Sequence, residues 1–248
     1  MKIAVAGGTG VAGRVVVETL RARGHTPVVL SRGQGVDLVS GSGLDAALTG
    51  VEVVIDASNV TTNRKSVAVG FFDKAGRNLA GAAERTGVRH LVTPSIVGVD
   101  RVKLPYYSGK LRQEEIIRGG AVPWTIMRAT QFHEFVGQVL SGVPGPIAVV
   151  PTAPVQPIAV RELAEALVDL ALEPPRGMAP ELAGPQVESL VDLARRLIAA
   201  GGARQRPVVP LYFPGGMRNG GLLPTGPGPR GTQTFADWLE KRSPRKPA

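Results

Sequence analysis

The sequence predicts an α/β fold: a doubly wound parallel sheet with a small, loop-rich C-terminal lobe. Three observations lead there. Apolar strand-like runs alternate with helix-like segments through the first half of the chain, the pattern of a sheet covered on both faces. The first run opens into a glycine-rich turn that feeds directly into a helix. Beyond Ala129 the alternation gives way to short extended pieces broken by Pro144, Pro146, Pro151, Pro154 and Pro157.

In order, Lys2–Ala6 reads as a strand, Val11–Arg23 as a helix stopped by Gly24, and Thr26–Ser31 as a second strand. Leu44–Leu48 makes a short helix before Val51–Ala57, an apolar run typical of a strand buried on both faces. Phe71, Phe72, Ala75, Leu79 and Ala82 recur at helical spacing and predict a long helix over Arg64–Arg85. A strand at Arg89–Thr93, a helix near Tyr106–Arg118 and a strand at Trp124–Arg128 complete this half. In the second half, Val160–Leu172 is an amphipathic helix with Glu162, Glu165 and Asp169 on its polar face. Glu188–Ala200 and Phe235–Lys241 read as further helices, and the Pro- and Gly-rich stretch Arg206–Arg230 as a loop over the surface or a pocket. The expected division is a core over residues 1–135 and a lobe over 136–248 packed on it as one structural unit.

Composition narrows the function. With 43% hydrophobic and 20% charged residues in 248, wholesale disorder is excluded. The absence of cysteine removes disulfides, thiolate catalysis and iron–sulfur clusters, and fits a reducing cytoplasm. A net charge of +9 invites a nucleic-acid reading, but the arginines are scattered and aromatic residues are only 4%. The densest basic cluster, Lys241–Lys246, is short, Pro-broken and expected to fray. His25, His90 and His133 lack the paired spacing of a metal site. The chain enters a strand at once and has no apolar run near the ~18–20 residues of a membrane span. The expectation is a soluble, cytoplasmic protein with a small-molecule substrate and neither nucleic acid nor membrane as partner; oligomeric state stays open.

The turn after the first strand is Gly7-Gly8-Thr9-Gly10-Val11-Ala12-Gly13. Gly7, Gly10 and Gly13 follow a GxxGxxG spacing. One glycine permits the tight turn, the next lets backbone amides approach a pyrophosphate, and the third lets helix and strand pack closely. This strand–turn–helix context predicts a dinucleotide site on a Rossmann-type core. At the end of the second strand, a carboxylate would bind the ribose hydroxyls of NAD. The sequence has Ser31-Arg32-Gly33 instead, with no carboxylate until Asp37. A guanidinium with a neighbouring hydroxyl suits a 2′-phosphate, so NADP is expected over NAD; the alternative is a solvated loop arginine.

These segments, with Val53-Val54-Ile55-Asp56-Ala57, Gly87–Val92, Ser95–Val99, Tyr106-Tyr107-Ser108-Gly109-Lys110 and Pro123–Thr130, resemble the atypical short-chain dehydrogenase/reductases, close to the NmrA-like subfamily. The resemblance covers about the first 135 residues; Glu181-Leu182-Ala183-Gly184-Pro185 matches the later lobe only in general layout. It implies an NAD(P)-binding protein that is a reductase, an isomerase, or a redox sensor that binds NADP without turnover.

Tyr106 and Lys110 are spaced i, i+4 and share a helix face. The ammonium could hold the nicotinamide ribose and lower the pKa of a nearby phenol, so that a tyrosine protonates a carbonyl oxygen. Tyr107 could serve instead, and Ser95 at the carboxyl edge of the sheet could steady the same oxygen. Only ten residues separate Ser95 from Tyr106, fewer than active members of the family place there. Pro105 puts Tyr106 in the first helical turn, so the tyrosines could equally be packing residues at a helix entrance. Ala57, Asn59 and Thr93 sit at strand ends suited to cofactor contacts. Phe132 could line the substrate pocket, while His133 could face substrate or pack beside the next helix. Two readings follow: an NADP-dependent oxidoreductase acting on a carbonyl or enone-like substrate, or a cofactor-binding sensor or partner-binding regulator.

Overall fold

The computed structural model of the protein describes residues 1–212 and 216–242. Positions 213–215 of the expected Arg206–Arg230 loop, and the basic tail beyond Arg242, lie outside the described residues.

The first half runs β1 (Lys2–Ala6), α1 (Val11–Ala22), β2 (Thr26–Leu30), α2 (Leu44–Leu48), β3 (Val53–Asp56), α3 (Lys65–Arg85), β4 (His90–Ile96), α4 (Pro105–Arg118) and β5 (Trp124–Ala129). Then come α5 (Phe135–Ser141), β6 (Ala148–Pro151), β7 (Pro154–Val155), α6 (Val160–Leu172), β8 (Gly177–Met178), β9 (Glu188–Ser189), α7 (Leu190–Ala199), β10 (Val208–Leu211) and α8 (Phe235–Arg242).

A six-stranded parallel sheet in the order β2-β1-β3-β4-β5-β8 confirms the expected Rossmann-type fold. β1 pairs with β2 on one side and β3 on the other, Ala6 lying opposite both Leu30 and Asp56. The winding therefore reverses at β1, and ligands of such sheets bind at the carboxyl ends of the strands flanking that switch. Ala4, Ala6, Val54 and Leu91 of the sheet pack with Leu44 and Leu48 of α2 and Leu79, Ala82 and Ala83 of α3. Full burial of each of those leucines is worth roughly 1.5–3 kcal/mol. α6 packs on α1, β3 and β4.

The contacts divide the chain differently from a single cut at 135. One compact unit is 1–128 with 160–180; the other is 129–159 with 181–248. The physical reason is α6, whose buried Leu163, Ala164, Leu167 and Val168 belong with the sheet although the chain has already left it. In the second unit, β6 pairs with β10 and β7 with β9.

Several boundaries differ from expectation. β4 continues past Thr93 to Ile96, because Pro94 lies beyond the last β3–β4 pair, Ile55 with Val92, and its missing N–H breaks no ladder bond on that side. Glu188 and Ser189 form β9 rather than helix; Ser189 then caps α7, its hydroxyl accepting from the Asp192 N–H at 3.4 Å. β10 occupies part of the stretch expected to be loop.

Candidate functional site

The loop from β1 to α1 is held by three backbone bonds: Gly7 N–H to Leu30 O at 3.2 Å, Gly10 N–H to Gly7 O at 2.9 Å, and Ala57 N–H to Ala6 O at 3.0 Å. Gly7 has φ +69°, which only glycine adopts without strain, and a Cβ there would stand 2.8 Å from Ala57 O. At Gly13 a Cβ would fall 2.2 Å from Gly7 O, so this glycine sets how closely α1 approaches β1. Gly10 differs: a Cβ there would meet only Gly7 O, at 3.2 Å. Gly8 is buried, while Thr9, Gly10 and Val11 are exposed and Ala12 is half-buried. No side chain caps α1 and no acidic residue lies in its first turn, leaving its N-terminal amides to an anionic partner.

After β2, Ser31 precedes a single 3₁₀ turn over Arg32–Gln34, and Arg32 is exposed. Asp37, the first carboxylate beyond this strand, accepts from the N–H groups of Val39 (2.7 Å) and Ser40 (3.2 Å). It is thus spent on its own turn rather than held out toward a ribose.

The carboxyl ends of β3 and β4 meet α4. By strand alternation Thr93 and Ser95 share a face with Leu91, which packs against α3, so both hydroxyls point to the α3/α4 side. Thr93 Oγ1, Ser95 Oγ and Ser58 Oγ are buried without a hydrogen-bond partner among the described residues. A buried polar group left unpaired costs about 1–3 kcal/mol, and all three of these stand at or just past the carboxyl ends of β3 and β4. Ser58 was not singled out from the sequence; its Cα lies 2.8 Å from a Cβ built on Gly7, directly beside the glycine turn.

α4 comes close to α3 because Gly109 carries no side chain; a Cβ would stand 2.7 Å from the Phe72 ring and 2.8 Å from Ala68 O. This contact places Lys110 under the sheet edge. Its buried ammonium donates to Pro94 O at 2.7 Å and to Gln113 Oε1, and sits 5.0 Å from the Phe72 ring centre. Burial pushes its pKa down to about 8, against the opposing charges of Asp56 and Glu114. Gln113 Nε2 donates to Asp56 Oδ2 at 2.6 Å, and Asp56 Oδ1 accepts from the Ser58 N–H at 3.1 Å. The helix is anchored to β5 by Arg128, which grips buried Glu114 through two bonds of 3.0 and 2.9 Å and reaches Asp100 at 2.6 Å.

The tyrosines correct one expectation. Tyr106 donates its hydroxyl to Asn59 Oδ1 at 2.6 Å, and burial, followed by the neighbouring Tyr107, raises its pKa. The phenol is therefore not tuned downward by Lys110, whose ammonium is turned to Pro94 and Gln113. Tyr107 is buried. In the second unit, Phe132 is half-buried and bridges to Ile158. The His133 ring is fully buried, within 5.7 Å of the Phe235 and Trp238 rings of α8, with Nε2 3.2 Å from Gln233 O. Among the described residues no helix is long and apolar enough to cross a membrane.

Comparison with known proteins gives this geometry a family. A (4-alkanoyl-5-oxo-2,5-dihydrofuran-3-yl)methyl phosphate reductase of Streptomyces griseus is 31% identical over 157 residues, covering 58% of this chain and 51% of that protein. The photosystem II assembly factor Ycf39 of Synechocystis sp. is 29% identical over 155 residues, covering 56% and 47%. The chain spans about half the length of these curated relatives. A short-chain dehydrogenase/reductase superfamily protein of Agrobacterium tumefaciens, crystallised with NAD, has the same fold at TM-score 0.69 and 18% identity, covering 98% of this chain and 96% of that one. Residues 7–174, a span that includes the glycine turn, the unpartnered hydroxyls and Lys110, match the family described as NAD(P)H-binding. With well over half of its length inside that match, the chain belongs to the NAD(P)H-binding family.

Proposed function

We propose that the protein is an NADP-dependent oxidoreductase acting on a small or medium carbonyl or enone-like substrate. The observation that carries this is the set of unpartnered buried hydroxyls beside the Lys110 ammonium, at the carboxyl edge of a sheet that starts with an uncapped glycine turn. When bound, the cofactor supplies or accepts hydride. The amides from Gly7 to Gly13, Thr9 and Ala12 among them, take the pyrophosphate, and Ser31 and Arg32 take a 2′-phosphate. Ala57, Asn59 and Thr93 line the cofactor, and Lys110 binds ribose hydroxyls with its remaining N–H. Ser95 donates to the substrate oxygen. Tyr106, or Tyr107 beside it, gives the proton; a phenol whose pKa is raised stays protonated at neutral pH and can only serve as an acid once substrate lowers it. The Streptomyces relative is named a reductase of an oxo-dihydrofuran bearing an alkanoyl group, which supports an enone-like substrate.

A specific observation favours a second reading. The Tyr106 hydroxyl is committed to Asn59 and Lys110 is turned away from it, an arrangement that suits a NmrA-like cofactor sensor or regulator without turnover. A panel of unsaturated lactones, enones and simple carbonyls, followed by NADPH absorbance, separates the two. Consumption that disappears in Tyr106→Phe or Tyr107→Phe with cofactor affinity intact establishes the enzyme. Tight NADPH binding with no consumption across the panel leaves the sensor. The scattered basic charge, with 4% aromatic residues, argues against a nucleic-acid partner.

A further inference from the structure

Beneath the sheet edge, Asp56, Gln113 and Lys110 form a buried chain in which every partner has only one possible role. A carboxylate can only accept and an ammonium can only donate. Gln113 lies between them, so its Nε2 must face Asp56 and its Oε1 must face Lys110, as the 2.6 Å contact to Asp56 Oδ2 and the contact to Lys110 Nζ require. The far end is fixed too, since Asp56 Oδ1 is held by the Ser58 N–H at 3.1 Å. With Pro94 O taking a second ammonium proton at 2.7 Å, two of the three N–H directions of Lys110 are assigned and the third is thereby aimed.

We propose that Asp56 and Gln113 are positioning residues for Lys110: the carboxylate fixes the amide, the amide fixes the ammonium, and the last N–H points where a cofactor hydroxyl is bound. This rests on the cofactor role of Lys110 given above. Without the carboxylate the amide can flip, which would turn Nε2 onto the ammonium and drive Lys110 toward its neutral form. The other groups facing the ammonium do not replace this link. Glu114 lies on the same helix but is gripped by Arg128 through two bonds, α3 offers the uncharged ring of Phe72, and β4 offers the Pro94 carbonyl and the uncharged hydroxyls of Thr93 and Ser95. The Tyr106 phenol is engaged with Asn59.

The test uses Asp56→Asn and Gln113→Leu in the full chain, with Lys110 titrated in the ligand-free protein by NMR of labelled lysine side chains. Lys110→Met identifies the resonance. The expected result is a midpoint below the wild-type value of about 8 by roughly one unit, the scale of a lost charge-assisted contact. NADPH affinity should then fall by about fivefold at pH 8 but by less than about twofold at pH 6.5, where Lys110 is mostly protonated in each protein. A purely structural role would lower affinity equally at both pH values. Midpoints unchanged in both folded variants overturn the proposal; should Asp56→Asn fail to fold, the Gln113→Leu titration decides. If the midpoints shift while Lys110→Met binds NADPH as tightly as wild type, the relay stands and the cofactor role of Lys110 fails.

Discussion

Gly10 and Gly13 are three residues apart in one loop, yet alanine at each should fail in a different way. At Gly13 the new Cβ would lie 2.2 Å from Gly7 O, 2.8 Å from Gly7 C and 2.9 Å from Gly8 Cα. All three are backbone atoms, so α1 has to move off β1. Overpacking against an unyielding core costs about 1–3 kcal/mol, and a clash this close belongs at about 3 or above. At Gly10 the φ of −77° suits any residue and the single neighbour, Gly7 O at 3.2 Å, has to give by a few tenths of an ångström. Alanine is a poorer N-cap than glycine, so the loss there should be about 1 kcal/mol. Binding should rank the other way. At the cofactor site proposed above, Gly10→Ala puts a methyl group against the pyrophosphate, and NADPH affinity should fall at least about tenfold in a protein that remains folded. Urea denaturation reads the first comparison and titration calorimetry with NADPH the second. Equal destabilisation by the two variants, or wild-type NADPH affinity in Gly10→Ala, would refute the division of labour between these glycines.

Three further outcomes are expected. Arg32→Ala should weaken NADPH by about tenfold and leave NADH nearly unchanged in fluorescence titrations, because one charge-assisted contact is worth about 1.5–3 kcal/mol; equal loss of both cofactors excludes a 2′-phosphate role. Glu114→Gln breaks a buried bidentate pair with Arg128 and should destabilise by about 3 kcal/mol in denaturant melts, at the lower end of the usual range because Arg128 keeps Asp100. Burial holds the pKa of His90 down at about 4, so below pH 6.5 the unfolded chain takes up a proton that the folded chain refuses. Stability should therefore drop by about 3 kcal/mol between pH 6.5 and 4, and that part of the slope should vanish in His90→Gln.

The sheet and its glycine turn were legible because local signals coincide with the final structure: Leu44–Leu48 is a helix at the expected residues, and Gly7 stands at the turn that its sequence context demands. What escaped depends on long-range contact. β8 is two residues long, too short for any alternation to register, and exists because Thr125 and Ile126 offer it an edge. Pro94 follows the expected strand end at Thr93, but whether its missing N–H matters depends on where the neighbouring strand stops. In the site, Thr93 and Ser95 could be placed by strand position. Gln113 could not, because its partner Asp56 is 57 residues away. Asp56 did carry a signal, a carboxylate closing the otherwise apolar Val53-Val54-Ile55, and such a residue asks for a buried partner.

The return of residues 160–180 to the sheet-bearing unit bears on how the protein can be dissected. A fragment ending near residue 135 would hold the whole glycine turn and α4, and on sequence grounds would pass for a minimal nucleotide-binding module. It would lack α6, leaving the surfaces of α1, β3 and β4 that α6 covers open to water. Such a fragment should aggregate on expression, whereas one that splices 160–180 back onto 1–128 should stay in solution. The gene order and the folding unit do not coincide, so recombination or truncation at the apparent boundary separates residues that have to be inherited together.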